Sequence, residues 1–502
     1  MKVKGKVGDF FWAYGDILRS PYKITNNVDL RVLGFMAIKL LCDNKKLNFN
    51  FDYKNNFGID KHFFKNEKIT QEKFLKIIKN IKNFVNVSKN FKVDNLDILL
   101  DEQGFNILRS IKELSNQDFE RVLDIYQNLA DFKNFPKEEY KDLYELTITR
   151  LQDKNYKGDL LGQYFTQSSI IHLMCEIAIT SIKNKNKIAI YDPTCGSGSM
   201  LLESYFYFKN NSKTKNKQIE VYGQEFDKRV YLLCNIFLEI SGIEHYNIAY
   251  GDTLINPAFI NGINGEDSFD FIIANPPFGV DWKHIYNDVI ELMKQNKNFL
   301  VVKDKKGKIV TPKKSDGQFL FLLHILKLLL NERNRKDGFV AVITSSTLIS
   351  NGGENSSECK IRRKIFDTGL LKAIIEQPKA MFTNADLTTH IWIFDTTKKQ
   401  NYLKILKVDN KKEQMYINHP NPRNKMKYAY SKENIKKIAR YIKLKKEIEL
   451  VTKNIDISNI CSINIASEIE KEIKNNVDII TVINNYKKHA NNFCELLNKE
   501  IW

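Results

Sequence analysis

Apolar residues recur along the chain with two different periods, and the change of period divides it. From Phe10 to about Arg150 they return mostly at helical spacing, as in Leu30, Leu33, Ile38 and Leu41 and again in Phe119, Val122, Ile125 and Leu129. This predicts a helical N-terminal domain over residues 1–150. From 151 to about 430 short apolar runs alternate with helical stretches. Ile188 to Tyr191, Ile219 to Glu225, Asn247 to Tyr250, Phe269 to Ala274, Gly338 to Thr344 and Leu371 to Ile375 read as strands, and Ile170 to Ile182, Met200 to Phe208 and Phe319 to Leu330 as helices between them. Such alternation predicts a largely parallel α/β sheet. His390 to Phe394 and Tyr402 to Val408 read as an edge pair completing it, and the lysine-rich segment 283–314 as an irregular loop, either solvated or laid on a DNA backbone. Beyond Tyr430 the period is helical again, which predicts a helical tail over 431–502. Ser467 to Glu470 there form a capping box, and Ile469, Ile473, Ile480, Ile483, Ala490, Phe493, Leu497 and Ile501 form an apolar stripe suited to docking on a partner.

Four consecutive strand ends carry polar residues. The first runs into Asp192-Pro193-Thr194-Cys195-Gly196-Ser197-Gly198-Ser199, a glycine turn that lets backbone approach a ligand. The second ends in Glu225, 33 residues after Asp192, where an adjacent strand can offer both carboxylate oxygens to ribose hydroxyls. The third ends in Asp252, suited to an adenine edge, and the fourth in Asn275-Pro276-Pro277-Phe278. Open parallel sheets bind ligands at this edge. The turn is not G-x-G-x-x-G, and G-x-x-x-x-G-K-[ST] occurs nowhere, so a dinucleotide reductase and a P-loop motor are disfavoured. A nucleoside with an uncharged linkage and an amino-acid tail fits better, namely S-adenosylmethionine. The segment Gln163-Tyr164-Phe165-Thr166-Gln167-Ser168 ahead of the first sheet helix adds aromatic faces for its sulfonium and a helix cap in Ser168.

The Asn275 tetrad says most about chemistry. Neither proline has an N–H and both fix φ, so the carbonyls beside Asn275 are free to face a cleft. The Asn275 side-chain oxygen and the Pro276 carbonyl then form a pair of acceptors for an exocyclic amine conjugated with an aromatic ring. Hydrogen bonds to both amino hydrogens localise the nitrogen lone pair and make it nucleophilic, and Phe278 stacks on the ring. Taken alone, the tetrad also reads as a Pro-Pro turn with a core Phe, and it serves adenine N6, cytosine N4 and protein glutamine chemistry equally.

Composition changes this picture little. Of 502 residues 43% are apolar, enough for a large core, and the net charge of +18 from 78 Lys+Arg against 60 Asp+Glu favours a polyanionic partner. Seven cysteines without a C-x-x-C pair argue against disulfides and structural zinc, and hence for a reducing compartment such as the cytoplasm. No stretch reads as a signal peptide or membrane span.

The motifs and their order resemble the modification subunits of type I restriction–modification systems, which are N6-adenine DNA methyltransferases. Leu161 to Gln167 resembles that family's GQYFTP segment, Asp192 to Met200 its DPACGSGGF, Gly223 to Glu225 its GQE, and Gly251 to Leu254 its GDTL ahead of NPPF. Gly279 to Lys283, Ser315 to Leu323, Gly352 to Glu354 with Ile361 to Arg363, and Thr389 to Ile393 resemble it further on. Departures are Gln167 for proline, Thr194 and Cys195 within the turn, and Ser199-Met200 for Gly-Phe. The resemblance implies a Rossmann-like S-adenosylmethionine-dependent sheet with no metal. It implies transfer to an adenine flipped out of double-stranded DNA, and a complex with a specificity subunit, a restriction subunit and, through the specificity subunit, a second copy of the chain. A stand-alone methyltransferase and a catalytically silent DNA-binding scaffold are the alternatives. The first would need a base-reading domain that the sequence does not display, and the second would not need Glu225 and Asn275 intact.

Overall fold

The computed structural model describes parts of residues 34–41, residues 70–128 except 86 and 102–104, 166–261 except 183, 269–330, 338–382 except 354, 388–396, 402–408, 414–420, 426–443 and 452–456. In chain order these form helices α1 (Gln71–Lys79), α2 (Ile107–Lys112), α3 (Asn116–Asn128) and α4 (Ser168–Ile182). Next come β1 (Lys187–Asp192), α5 (Ser199–Asn210), β2 (Gln218–Glu225), α6 (Lys228–Ile240), β3 (Tyr246–Tyr250), β4 (Phe271–Ala274), α7 (Tyr286–Lys294) and α8 (Gln318–Leu330). Further on come β5 (Phe339–Ser345), a single helical turn at Thr347–Ser350, α9 (Ser357–Asp367), β6 (Leu371–Glu376), β7 (Thr389–Asp395), β8 (Tyr402–Lys407), β9 (Ile417–Asn418), β10 (Tyr428–Ala429), α10 (Lys432–Lys443) and β11 (Thr452–Asp456). Contacts sort the described residues into two compact units. One holds the N-terminal helices with Ile190–Asn210 and Gln218–Ala258; the other holds Thr166–Ala189, Asn211–Lys217 and the chain from Phe259 onward.

In the first unit the strands lie in the order β1-β2-β3, with β2 and β3 parallel in register from Val221↔Tyr246 to Glu225↔Tyr250. Helix α6 starts where the Asp227 side chain accepts from the Arg229 and Val230 N–H groups, and every residue from Val230 to Ile240 is buried. That burial includes Glu239, whose carboxylate accepts from Ser88 N at 2.8 Å, Ser88 Oγ at 2.5 Å and Tyr246 Oη at 3.0 Å. A buried carboxylate is tolerable only with such a set of donors, so this one ties the segment before Lys92 to α6 and β3. The helical period predicted for the N-terminal region is present in α1, where Thr70 caps the helix and Phe74, Ile77 and Ile78 are buried.

In the second unit the order is β11-β8-β6-β7-β5-β4, followed by the first residues of β1. At that junction the Ala189 N–H donates to Asp270 Oδ2 and the Asp270 N–H to the Ala189 carbonyl. β4 runs parallel to β5 and β6 parallel to β8, while β7 is antiparallel to both β5 and β6. β5 and β7 are buried at every residue, as strands covered on both faces must be. The helix starting at Ser168 packs on β4 and β5 and carries α10 against itself.

Three expectations change. β7 and β8 are not an edge pair: β7 lies inside the sheet and β8 pairs with β6 and β11. An unbroken apolar run, Ile391-Trp392-Ile393-Phe394, is the mark of an interior strand, and sequence proximity to β8 concealed it. The segment 283–314 is not an irregular loop, for it contains α7, whose Val289 and Met293 are buried. Val302 and Val310 are buried as well, so the lysines occupy the solvent side of an anchored structure. Finally, the chain after Tyr430 is not helical throughout. α10 forms as expected, but Thr452–Asp456 is a strand, antiparallel to β8. The apolar stripe from Ile469 to Ile501 lies outside the described residues.

Candidate active site

In the first unit two carboxylates and a glycine turn converge at the strand ends. The Gly196 N–H donates to Glu225 Oε2 at 2.9 Å and the Asp227 N–H to Oε1 at 2.8 Å, so the half-buried carboxylate is aimed by backbone from both sides. Asp192 is 1% exposed and its Oδ1 accepts the Thr194 N–H at 2.9 Å, which bends the chain into the turn. The turn is tied to β2 by the Cys195 N–H on the Gln224 carbonyl and to the loop after β3 by Thr253 Oγ1 on the Pro193 carbonyl at 2.6 Å. Burial pushes both Asp192 and Glu225 up to about 7, although the hydrogen bonds they accept pull the other way.

The glycines are required by the backbone. Gly196 and Gly198 have φ of 56° and 91°, the left-handed region that side chains resist. A Cβ at Gly198 would lie 2.8 Å from Cys234 Sγ, whereas one at Gly196 would meet nothing within 4 Å. The turn is therefore closed toward α6 and open above Gly196, beside the Glu225 carboxylate. Asp252 is half-buried and its Oδ1 accepts the Leu254 N–H. Ser197 is buried and Ser199 opens α5. Phe226, which sequence reasoning passed over, exposes 65% of its surface directly after Glu225. The signal for it was present: an aromatic residue just past a strand end in a position with no core to join.

In the second unit Asn275 follows β4, only 8% exposed. Its Nδ2 donates to Thr166 Oγ1 at 2.9 Å, which fixes the nitrogen end of the amide and leaves the oxygen as its acceptor end. Pro276 is buried, Pro277 half-buried and Phe278 9% exposed. The Phe278 ring meets Phe382 edge-on, with centroids 6.4 Å apart and planes at 72°. Phe382 has no motif around it, and only its position in the loop after β6 marks it.

The segment ahead of α4 serves differently from expectation. Thr166 positions Asn275. Gln167 is fully engaged in the scaffold, with Nε2 donating to the Met381 and Tyr428 carbonyls and Oε1 accepting from Ser169 Oγ. Ser168 is the first helical residue and not the residue capping the helix. Gln163, Tyr164 and Phe165 lie outside the described residues. Among the described residues no group of three or more His, Cys, Asp or Glu is disposed to hold a metal ion, and no helix is long and apolar enough to cross a membrane.

A mostly parallel sheet with carboxylates at its strand ends and an Asn-Pro-Pro-Phe tip is similar to the Rossmann-like methyltransferase class. The sequence profile of the N-6 DNA methylase family matches residues 137–478, and the chain belongs to that family. It is 25% identical over 440 residues to the type I restriction enzyme MjaVII methylase subunit of Methanocaldococcus jannaschii, covering 86% of this chain and 70% of that protein. It is 26% identical over 362 residues to the MpnII methylase subunit of Mycoplasma pneumoniae, covering 68% and 60%. The matches thus span 60% to 70% of these two relatives' length. Among solved structures, the type I restriction-modification methyltransferase subunit from Streptococcus thermophilus shares the fold with a TM-score of 0.63 at 19% identity, over 92% of this chain and 99% of that one.

Proposed function

We propose that the chain is the modification subunit of a type I restriction–modification complex and methylates N6 of an adenine flipped out of double-stranded DNA. The observation that carries this reading is the Asn275 amide, buried at the end of β4 and oriented by Thr166. Its oxygen and the Pro276 carbonyl accept the two amino hydrogens of the base, so the nitrogen lone pair is withdrawn from the ring and becomes nucleophilic. Phe278 supplies the stacking face.

The residues of the other unit fit S-adenosylmethionine. Glu225 takes the ribose hydroxyls, the open side of the turn at Gly196 admits a ligand against bare backbone, Asp252 takes the adenine edge, and Phe226 offers its exposed ring to the adenine. When bound, S-adenosylmethionine supplies an electrophilic methyl on a good leaving group. What the chain adds is alignment and exclusion of water, so no side chain need form a covalent bond. The specificity subunit reads the DNA sequence and the restriction subunit hydrolyses ATP.

The test is transfer of labelled methyl to duplex DNA by the full chain with its specificity subunit. Wild type should form N6-methyladenine. Asn275→Ala should bind cofactor within twofold of wild type, since the amide acts on the base, and should lose methyl transfer by at least a hundredfold. Turnover at the wild-type rate in Asn275→Ala would remove the mechanism.

A further inference from the structure

The loop after β6 carries more polar groups than its packing needs. Gln377 follows the last residue of β6 and Thr389 opens β7; they close the loop with the Gln377 N–H on the Thr389 carbonyl at 2.9 Å. Both side chains are buried, 1% and 0% exposed. Among the described residues neither Nε2 nor Oε1 of Gln377 has a hydrogen-bond partner, nor does Oγ1 of Thr389. Thr389 also faces Ser345 across the ladder. That serine is satisfied, accepting from Gln318 Nε2 at 2.9 Å and sharing a proton with Thr347 Oγ1 at 2.6 Å. Along the row Ser345, Thr389, Gln377, the first is complete and the other two hold three orphan polar atoms. Buried orphans are rare and costly, so a group found in this state calls for a partner that arrives later.

Position indicates which partner. β4, β5 and β6 share one direction, because β4 is parallel to β5 and both β5 and β6 are antiparallel to β7. Gln377 therefore leaves the sheet at the same edge as Asn275. The described start of the loop is anchored: the Ala380 carbonyl accepts from the Lys427 N–H and the Met381 carbonyl from Gln167. Ala380 has φ of 65°, a strained conformation for a residue with a side chain and one that tends to be kept where it has work to do. The next but one residue, Phe382, meets Phe278. The orphan amide thus begins the loop whose ring stands against the candidate base-stacking face.

We propose that Gln377 is a specificity-determining residue that reads the ring edge of the target base. This rests on the reading of Asn275 to Phe278 as the amine site. With both amino hydrogens taken by Asn275 and Pro276, adenine beside its amine offers only ring-nitrogen acceptors, N1 on one flank and N7 on the other. The Gln377 Nε2–H donates to one of these. The Thr389 hydroxyl donates to Oε1, which holds the amide with its nitrogen toward the base. All three orphan atoms are then satisfied. Phe382 turns from its edge-on contact as the base enters. Gln377 touches the substrate; Thr389 acts through Gln377 and is a positioning residue.

The experiment uses the full chain with its specificity subunit on duplexes in which the target adenine is replaced by 1-deazaadenine or by 7-deazaadenine. For wild type, one of the two analogues should lower kcat/KM about tenfold relative to adenine, the scale of one lost hydrogen bond. For Gln377→Leu, adenine itself should be methylated about tenfold more slowly and the same analogue should cost nothing further. Thr389→Val should reproduce part of that loss of coupling and Thr389→Ser should restore it, a pattern that simple destabilisation does not give. Melting temperature and cofactor affinity are measured on each variant. Should Gln377→Leu fail to fold, Gln377→Met carries the same comparison. If both analogues behave alike in wild type and variant, or if Gln377→Leu is more stable with unchanged methylation, the inference is overturned while the methyltransferase reading stands. If wild type methylates no adenine, that reading falls and the inference with it.

Discussion

At the scale of single residues, the carboxylate at Glu225 makes the sharpest demand. Burial pushes it and Asp192 up to about 7, well above an ordinary carboxyl. An acid raised in the folded state keeps a proton that the unfolded chain releases from about pH 4. Stability from these two groups is therefore fully present at acid pH and is lost as pH rises toward 7, whereas the proposed acceptance of ribose hydroxyls would improve over the upper part of that range. Affinity for S-adenosylmethionine should rise between pH 6 and 8 in calorimetric titration. Glu225→Gln should flatten that dependence and raise Kd at pH 8 by roughly ten- to a hundredfold, as expected for loss of a charged acceptor. A Kd for Glu225→Gln within twofold of wild type at pH 8 would mean that this strand end does another task.

Residues of this kind were legible in the sequence because they stand at strand ends in a fixed order. Asp192, Gly196, Gly198, Glu225 and Asn275 needed only the alternation of strand and helix to be located. Thr166 and Gln167 were picked out by their segment but their partners were not, and only the folded chain shows that one aims Asn275 and the other holds the start of the Phe382 loop. Phe382 and Gln377 escaped for a related reason. Their partners lie far away in sequence, and a lone Gln or Phe in a loop has no period to betray it.

At the scale of elements, the period of hydrophobicity located strands β1 to β8 and helices α4, α5 and α8, but not α6, α7, α9 or β11, and not which strands are neighbours. β7 reads correctly as a strand; its place between β5 and β6 is a pairing decision made by burial on both faces, which no local pattern records. α7 was hidden because a helix with one apolar face needs few apolar residues. Helix α6 depends on polar contacts through Glu239. Removing that side chain strands the donors of Ser88 and Tyr246 in an apolar setting. Glu239→Leu should lower unfolding free energy by about 2–4 kcal/mol, the range for breaking a buried charged hydrogen-bond set, read as a fall in the urea midpoint. The Ser88→Ala and Glu239→Leu effects should be strongly non-additive, since both delete one network. Additive losses would show that the two contacts act independently.

At the scale of the whole molecule, the +18 charge and the proposed division of labour between subunits lead to one expectation. The isolated chain should bind cofactor and hold duplex DNA weakly, without sequence preference, with affinity falling steeply as salt rises. Addition of the specificity subunit should confer methylation at one defined sequence. Deleting residues 467–502, which lie outside the described residues, should weaken assembly in a pull-down while sparing cofactor binding. Methylation of a defined sequence at full rate by the chain alone would favour a stand-alone enzyme.

The interior position of β7 also sets an order of events during synthesis. β6 leaves the ribosome before β7, yet its way into the sheet is through β7, since β7 pairs with β5 on one side and β6 on the other. A chain emerging at 5–20 residues per second needs about one to four seconds to add the residues from Gln377 to Asp395 that complete β7. For that interval β5 already has β4 beside it while Leu371–Glu376 must wait, an apolar strand with no ladder to join. β8 lies beyond β6 and β11 beyond β8, so the order of strands across this half of the sheet is not the order in which they are translated.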